Sequence, residues 1–155
     1  MNDDNNSVKI RGLRLEEHET WFAMRQLLWP DHTRQEFEEE KMEFLDDPNR
    51  NTVLVAALPN GELVGFVEVS LRDWAEGCST HPVGYIEGWY VQPAHRRSGI
   101  GRRLIEAAED WARTKGCTEM GSDAEDWNAV SHMAHRALGY AEAIRLVCYS
   151  KKLDP

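Results

Sequence analysis

Apolar positions recur along the chain with two periods, and the alternation between those periods predicts the order of elements. Val8 to Leu13 alternates Val8, Ile10 and Gly12 as a short strand. From about Glu16 to Trp29, Trp21, Met24 and Leu28 fall at helical spacing until Pro30 stops the helix. Thr33 stands three residues before Glu36, a capping box that opens a second helix, and Phe37, Phe44 and Leu45 give it an apolar stripe ending near Asp47-Pro48. Two strands follow, Thr52 to Leu58 and Leu63 to Arg72, separated by the turn Pro59-Asn60-Gly61. On the second of these, Leu63, Val67, Val69 and Leu71 share one face. A polar loop from Asp73 to Pro82 carries Trp74 and leads into a strand from Tyr85 to Val91. Ile100 to Thr114 is the strongest helical signal: Ile100, Leu104, Ala107, Ala108, Trp111 and Ala112 recur at 3.6-residue spacing, and Gly116 suits a left-handed cap. A short strand near Thr118 to Met120, a helix over Trp127 to Leu138 and a closing strand over Ala141 to Tyr149 complete the order. No repeat or linker interrupts it, so the expectation is one α+β domain over residues 1–155 with a mixed sheet, residues 1–7 forming a flexible polar tail.

Composition narrows the class. The chain has 155 residues, 41% hydrophobic and 29% charged, the mix of a soluble globular domain large enough to bury its own core. No apolar run approaches the roughly 18 residues of a membrane span, and the acidic start is unlike a signal peptide. A net charge of −9 disfavours nucleic acid and anionic membrane and favours a cationic partner. Cys78, Cys117 and Cys148 are far apart and odd in number, which fits buried thiols in a reducing cytoplasm. His132 and His135 lie three apart on one helix, but no further ligand cluster argues for a metal.

Candidate chemistry collects around the Tyr85–Val91 strand and the helix after it. The segment Val91-Gln92-Pro93-Ala94-His95-Arg96-Arg97-Ser98-Gly99-Ile100-Gly101 ends a strand, turns at proline and feeds a helix through a glycine-containing loop. Unpaired N–H groups at a helix N-terminus, ringed by Arg96, Arg97, Arg102 and Arg103, make an anion site suited to a polyphosphate. Neither the Walker lysine-plus-hydroxyl ending nor the three-glycine dinucleotide fingerprint is present. Within the strand, Glu87 is an acid in an apolar run, and Gly88 beside it marks a candidate bulge. Glu87 either holds an ammonium group or faces solvent or a structural arginine. Gly121-Ser122-Asp123-Ala124-Glu125-Asp126 reads as helix capping or as a second acidic wall. Trp29-Pro30-Asp31 supplies an aromatic ring and a carboxylate, with Trp29 either core or cleft edge, and the run Glu36 to Glu43 is either a solvated helix face or a substrate-facing rim.

Arg96-x-x-Gly99-x-Gly101 after a strand ending in Val-x-Pro resembles the acetyl-CoA loop of the GNAT superfamily of N-acetyltransferases. Asn128-x-x-Ser131-x-x-Ala134-His135-x-x-x-Gly139-Tyr140 resembles the family's later helix motif, with His135 where a tyrosine is usual. The resemblance implies a GNAT fold: a mixed, mostly antiparallel twisted sheet flanked by helices, with splayed central strands. It implies acetyl-CoA as co-substrate, held by Trp89, Tyr90 and Val91 of the strand, by Arg96, Arg97, Ser98, Gly99, Ile100 and Gly101 of the loop, and by Asn128. In this family the residue at His135 protonates the departing thiolate, a role that imidazole or water fills. Leu27-Leu28-Trp29-Pro30-Asp31, Ser70-Leu71-Arg72-Asp73-Trp74-Ala75-Glu76-Gly77, Pro82-Val83-Gly84-Tyr85-Ile86-Glu87-Gly88-Trp89-Tyr90-Val91 and Gly121-Ser122-Asp123 are similar to one branch, the aminoglycoside 6'-N-acetyltransferases. That branch implies a homodimer and a polycationic aminosugar bound by Trp29, Asp31, Trp74, Glu87, Asp123 and Asp126, with Glu87 and Asp123 nearest the reacting amine. The alternatives are a GNAT enzyme acting on a polyamine, small metabolite or protein N-terminus, or a non-catalytic acetyl-CoA sensor.

Overall fold

The structure, a computed structural model, describes residues 8–155; the tail expected over 1–7 lies outside the described residues. The chain divides into two compact units, Met1–Asp123 and Ala124–Pro155. The first unit is built on a five-stranded sheet in the order β1-β2-β3-β4-β5. Its strands are β1 (Lys9–Gly12), β2 (Asn51–Ala57), β3 (Leu63–Arg72), β4 (Val83–Val91) and β5 (Met120–Ser122). The first three pairings are antiparallel and β4 pairs β5 in parallel. This is the mixed, mostly antiparallel α+β architecture expected.

Helices α1 (His18–Leu28) and α2 (Arg34–Asp46) cover one face of the sheet. Their Trp21, Met24 and Phe37 pack on Val53, Val55, Phe66 and Tyr90. The Thr33–Glu36 capping box forms as expected, with Thr33 Oγ1 accepting from the Glu36 amide. Helix α3 (Ile100–Thr114) lies on the opposite face, burying Leu104, Ile105, Ala108 and Ala112. Its Leu104 sits so close to Gly65 that a Cβ there would lie 3.2 Å from Leu104 Cδ1. Strand β3 is therefore buried on both faces over Leu63–Ser70, and the single apolar face expected for it is half of the arrangement. Phe66, Glu68 and Ser70 alternate toward the α1–α2 side.

The pairing of β3 with β4 is irregular at one place. Glu68 pairs Gly88 and the next pair is Val69 with Ile86, so Glu87 is the extra residue of a β-bulge. Strand β5 pairs only Gly84, Tyr85 and Ile86, and from Glu87 onward β4 has no neighbour on that side among the described residues. The bulge and the short β5 together produce the splay expected near Gly88, displaced by one residue.

The second unit contains α4 (Ala129–Ala137), capped by the Asn128 side chain, which accepts from the Ser131 amide at 3.1 Å. The strand expected over Ala141–Tyr149 does not form. Residues 141–155 carry no helix or strand, and Ile144, Leu146, Val147, Tyr149 and Leu153 are exposed. A strand exists only where a neighbour takes its backbone N–H and C=O groups, and none does so here among the described residues. The expectation of buried thiols is corrected in the same place: Cys117 is buried and Cys78 half-buried, but Cys148 is exposed on this segment. Among the described residues no helix is long and apolar enough to cross a membrane.

Candidate active site

The bulge carries Glu87 to the wall of a cleft of about 510 Å³ on the α1–α2 side of the sheet. Trp21, Arg25, Trp29, His32, Glu40, Glu43, Glu68, Ser70 and Glu87 are among its lining residues. Trp29 ends α1 as its C-cap and lies across the bulge, where a Cβ on Gly88 would come within 2.5 Å of Trp29 Cη2. Only glycine lets the indole approach the strand this closely. Both readings of Trp29 meet here: it packs against the strand and forms a cleft wall.

Glu87 is half-buried and held by two neighbours. The Ser70 hydroxyl donates to its Oε1, and Arg72 donates through Nε to Oε1 at 2.9 Å and through Nη2 to Oε2 at 2.7 Å. The Arg72 guanidinium carbon lies 3.5 Å from the Tyr85 ring centroid, and the Tyr85 hydroxyl donates to Asp123 Oδ2 at 2.8 Å. The bond to Glu87 raises the Arg72 guanidinium's affinity for its proton, while burial and then the Asp123 bond hold the Tyr85 phenol well above its ordinary range. One chain of contacts thus joins the two acids expected at the reacting amine, Glu87 and Asp123. The helix-capping reading of Asp123 does not hold, since Asn128 caps α4.

Deeper in the cleft, Glu68 is 3% exposed. Trp21 Nε1 donates to its Oε1 at 2.9 Å, and Arg25 Nε pairs the same oxygen at 2.8 Å. Arg25 reaches on to Glu40 at 2.7 Å and lies over the Trp29 ring at 4.7 Å. Burial pushes the Glu68 carboxyl up to about 7, outweighing Arg25 and the Trp21 N–H, which favour the charged form. The run Glu36–Glu43 divides between the two readings given for it. Glu36 caps α2 and Glu38 pairs Lys41 on the surface, whereas Glu40 and Glu43 line the cleft. Four carboxylates (Glu40, Glu43, Glu68, Glu87) line the cleft; Arg72 offsets Glu87 and burial raises Glu68, so Glu40 and Glu43 are the ones placed to favour a bound cation.

Beyond β4 the phosphate loop takes the geometry its glycines require. Gly99 has φ +83° and Arg97 φ +59°, both left-handed, turning the chain into α3. No side chain caps α3, so its first amides are available to an anion. Arg96 Nε donates to Val91 O at 2.7 Å and Ser98 Oγ to His95 O at 2.5 Å, which fix the loop onto the end of β4. Gly101 packs against Trp89, where a Cβ would lie 3.1 Å from the indole, and Ile100 anchors the helix start in the core. The residues present therefore suit a pyrophosphate: an uncapped helix start, backbone free of side chains at two glycines, and flanking arginines. Among the described residues no three His, Cys, Asp or Glu side chains converge as a metal site.

The remaining expected residues lie apart from the Glu87 cleft or in the second unit. Asp31 is exposed and is not a lining residue, whereas its neighbour His32 is. Trp74 is 68% exposed and lines a second cavity of about 450 Å³ with Arg50, Arg72, Asp73 and Glu76. In the second unit, His135 Nδ1 lies 2.8 Å from Ser131 O with its ring against Tyr140, and Asp126 pairs Arg145 at 2.5 Å. Glu68, Arg25, Ser70, Arg72 and Tyr85 were not legible as site residues. One signal was available: Glu68 in Val67-Glu68-Val69 is an acid in an apolar strand, the same pattern that exposed Glu87.

An open-edged mixed sheet, a strand that splays at a bulge and a helix start built for a polyphosphate define an acyl-CoA-dependent transferase class, and comparison agrees. The acetyltransferase (GNAT) family matches residues 21–140, and the chain belongs to that family. It is 43% identical over 149 residues to an aminoglycoside N(6')-acetyltransferase type 1 of Klebsiella aerogenes, covering 95% of this chain and 98% of the relative. A protein of the same name from Stenotrophomonas maltophilia is 42% identical over 136 residues, 87% of each chain. Among solved structures, AAC(6')-Iy in complex with the bisubstrate analogue CoA-S-monomethyl-acetylneamine superposes with a TM-score of 0.87 at 33% identity, covering 94% of this chain and 99% of that one. The aminoglycoside 6'-N-acetyltransferase AAC(6')-Ih of Acinetobacter baumannii gives 0.86 at 34%, covering 95% and 99%.

Proposed function

We propose that this acetyltransferase moves an acetyl group from acetyl-CoA to the 6'-amine of an aminoglycoside, and so confers resistance to such antibiotics. The observation that carries the reading is the carboxylate-lined cleft with Glu87 on a bulge, opening where β4 loses its neighbour. A rigid aminosugar with several ammonium groups needs several partly desolvated carboxylates, which this cleft supplies. The similarity to enzymes named for that substrate supports it.

In the proposed reaction the loop 96–101 and the strand residues Trp89, Tyr90 and Val91 hold acetyl-CoA, with Asn128 assisting. Glu87 holds the acceptor and takes up, directly or through water, the proton its ammonium group must lose. The neutral nitrogen attacks the thioester carbon and a C–N bond forms; the nitrogen, now cationic, sheds its second proton to water as the C–S bond breaks. A backbone N–H near Trp89 or Tyr90 stabilises the oxyanion. His135 or water gives a proton to the thiolate, and Trp29, Asp31, Trp74, Asp123 and Asp126 bind the sugar. No covalent enzyme intermediate is needed, since positioning alone brings nitrogen and carbonyl together.

The proposal takes residues 1–155 as one acetyltransferase domain working in the cytoplasm, with no nucleic acid or membrane partner, as a homodimer. The exposed apolar side chains of residues 141–153 support a second copy as the partner, because such a segment alone in water is unfavourable. The product settles the acceptor position: NMR of acetylated kanamycin is expected to show a new amide on the 6'-nitrogen. An amide on another ring nitrogen overturns the regiochemistry.

A further inference from the structure

The contacts of Glu87 point to a function for a residue on the neighbouring strand. A carboxylate has about four lone-pair sites. On Glu87, Oε1 accepts from both the Ser70 hydroxyl and Arg72 Nε, and Oε2 accepts from Arg72 Nη2. Three sites are thereby filled and one, on Oε2, is left for an incoming N–H. The guanidinium itself is fixed from a second side, stacked 3.5 Å over Tyr85, whose hydroxyl is tied to Asp123. Arg72 also stands between two cavities: Glu87 lines the larger one, and Arg72 lines the one that holds Trp74.

We propose that Arg72 is a positioning residue for acceptor acetylation. Its planar fork fixes the Glu87 carboxylate and leaves a single acceptor site for one N–H of the bound amine. The inference rests on the acetyltransferase reading and deepens it. The fork is the essential element, because a lysine at this position supplies charge but only a point donor. Arg72 also neutralises Glu87, so capture of the polycation falls chiefly to Glu40 and Glu43, the less buried carboxylates of the cleft, while Glu87 sets direction. Orientation and attraction are thus divided between different carboxylates of one cleft, and the two can be separated by experiment.

Steady-state kinetics of full-length Arg72→Gln and Arg72→Lys with kanamycin, beside the wild type, test this. Both variants are expected to lose about tenfold or more in kcat. The KM for kanamycin stays level or falls, because Glu87 regains an uncompensated charge, and the KM for acetyl-CoA is unchanged. In a Glu87→Gln background, Arg72→Gln adds no further loss, since the two side chains act as one unit. A rise in kanamycin KM at constant kcat, wild-type kcat in Arg72→Lys, or additive losses in the double variant each overturn the proposal. Should Arg72→Gln not fold, Arg72→Lys decides the matter alone. A wild type inert toward kanamycin but active on another amine contradicts the aminoglycoside reading instead, and the variants are then measured with that amine.

Discussion

Glu68 concentrates the cost of building this cleft. Its carboxyl is almost wholly buried against Trp21 and Arg25, and its value rises from an ordinary 4.5 to about 7. Below about pH 4.5 both folded and unfolded chains carry the proton. Between about 4.5 and 7 the folded chain keeps a proton that the unfolded chain releases, so Glu68's contribution to stability is lost as pH rises through that window. The separation of the two values corresponds to on the order of 3 kcal/mol. Glu68→Gln keeps an acceptor for the Trp21 N–H and titrates nowhere, so it should remove this slope. Thermal unfolding from pH 4.5 to 8 is expected to move Tm in the variant's favour as pH rises. Equal slopes in both proteins would mean that Glu68 is ionised throughout, held by Arg25. Residue identity drew attention to Glu87 because an acid amid Ile86, Gly88 and Trp89 needs a partner, and the arginine reading is met in part by Arg72. It did not reveal Arg72 or Ser70, because a polar strand end reads the same whether it meets solvent or a carboxylate.

Elements with a strong period were legible to the residue. α3 spans Ile100–Thr114 and β3 spans Leu63–Arg72, both as the apolar pattern predicts, and Gly116 adopts φ +85° after α3. The bulge was legible to within one position, through Gly88. β5 fell two residues later than expected, at Met120–Ser122, because a three-residue strand has too few positions to show a period. The strand expected over Ala141–Tyr149 failed for a different reason. Its residues have strand propensity, but pairing depends on a neighbour that local sequence does not contain. If the neighbour is a second copy, Leu146→Asp with Val147→Asp should convert dimer to monomer in light scattering, although both side chains are exposed in the single chain. A wild type that is already monomeric, or a variant that stays dimeric, contradicts the role given to this segment.

At the scale of the whole molecule, charge and fold act together. An overall −9 draws a polycation in, while the arginines at the start of α3 provide a local exception where a polyphosphate belongs. The sheet separates the two jobs. The carboxylate cleft opens between its α1–α2 face and the splay, and the anion loop leads from the end of β4 into α3 on the other face. In the proposed reaction both substrates meet at the same stretch of β4 without either charged region compromising the other. The most direct measurement is CoA release from acetyl-CoA with kanamycin, gentamicin, spermidine and a short peptide supplied separately. The account predicts turnover with the two aminoglycosides, at a kcat/KM that falls steeply with added salt, and little with the peptide or spermidine. Turnover confined to spermidine or the peptide would leave an acetyltransferase of the same family with a different acceptor, and would contradict the function proposed for this cleft.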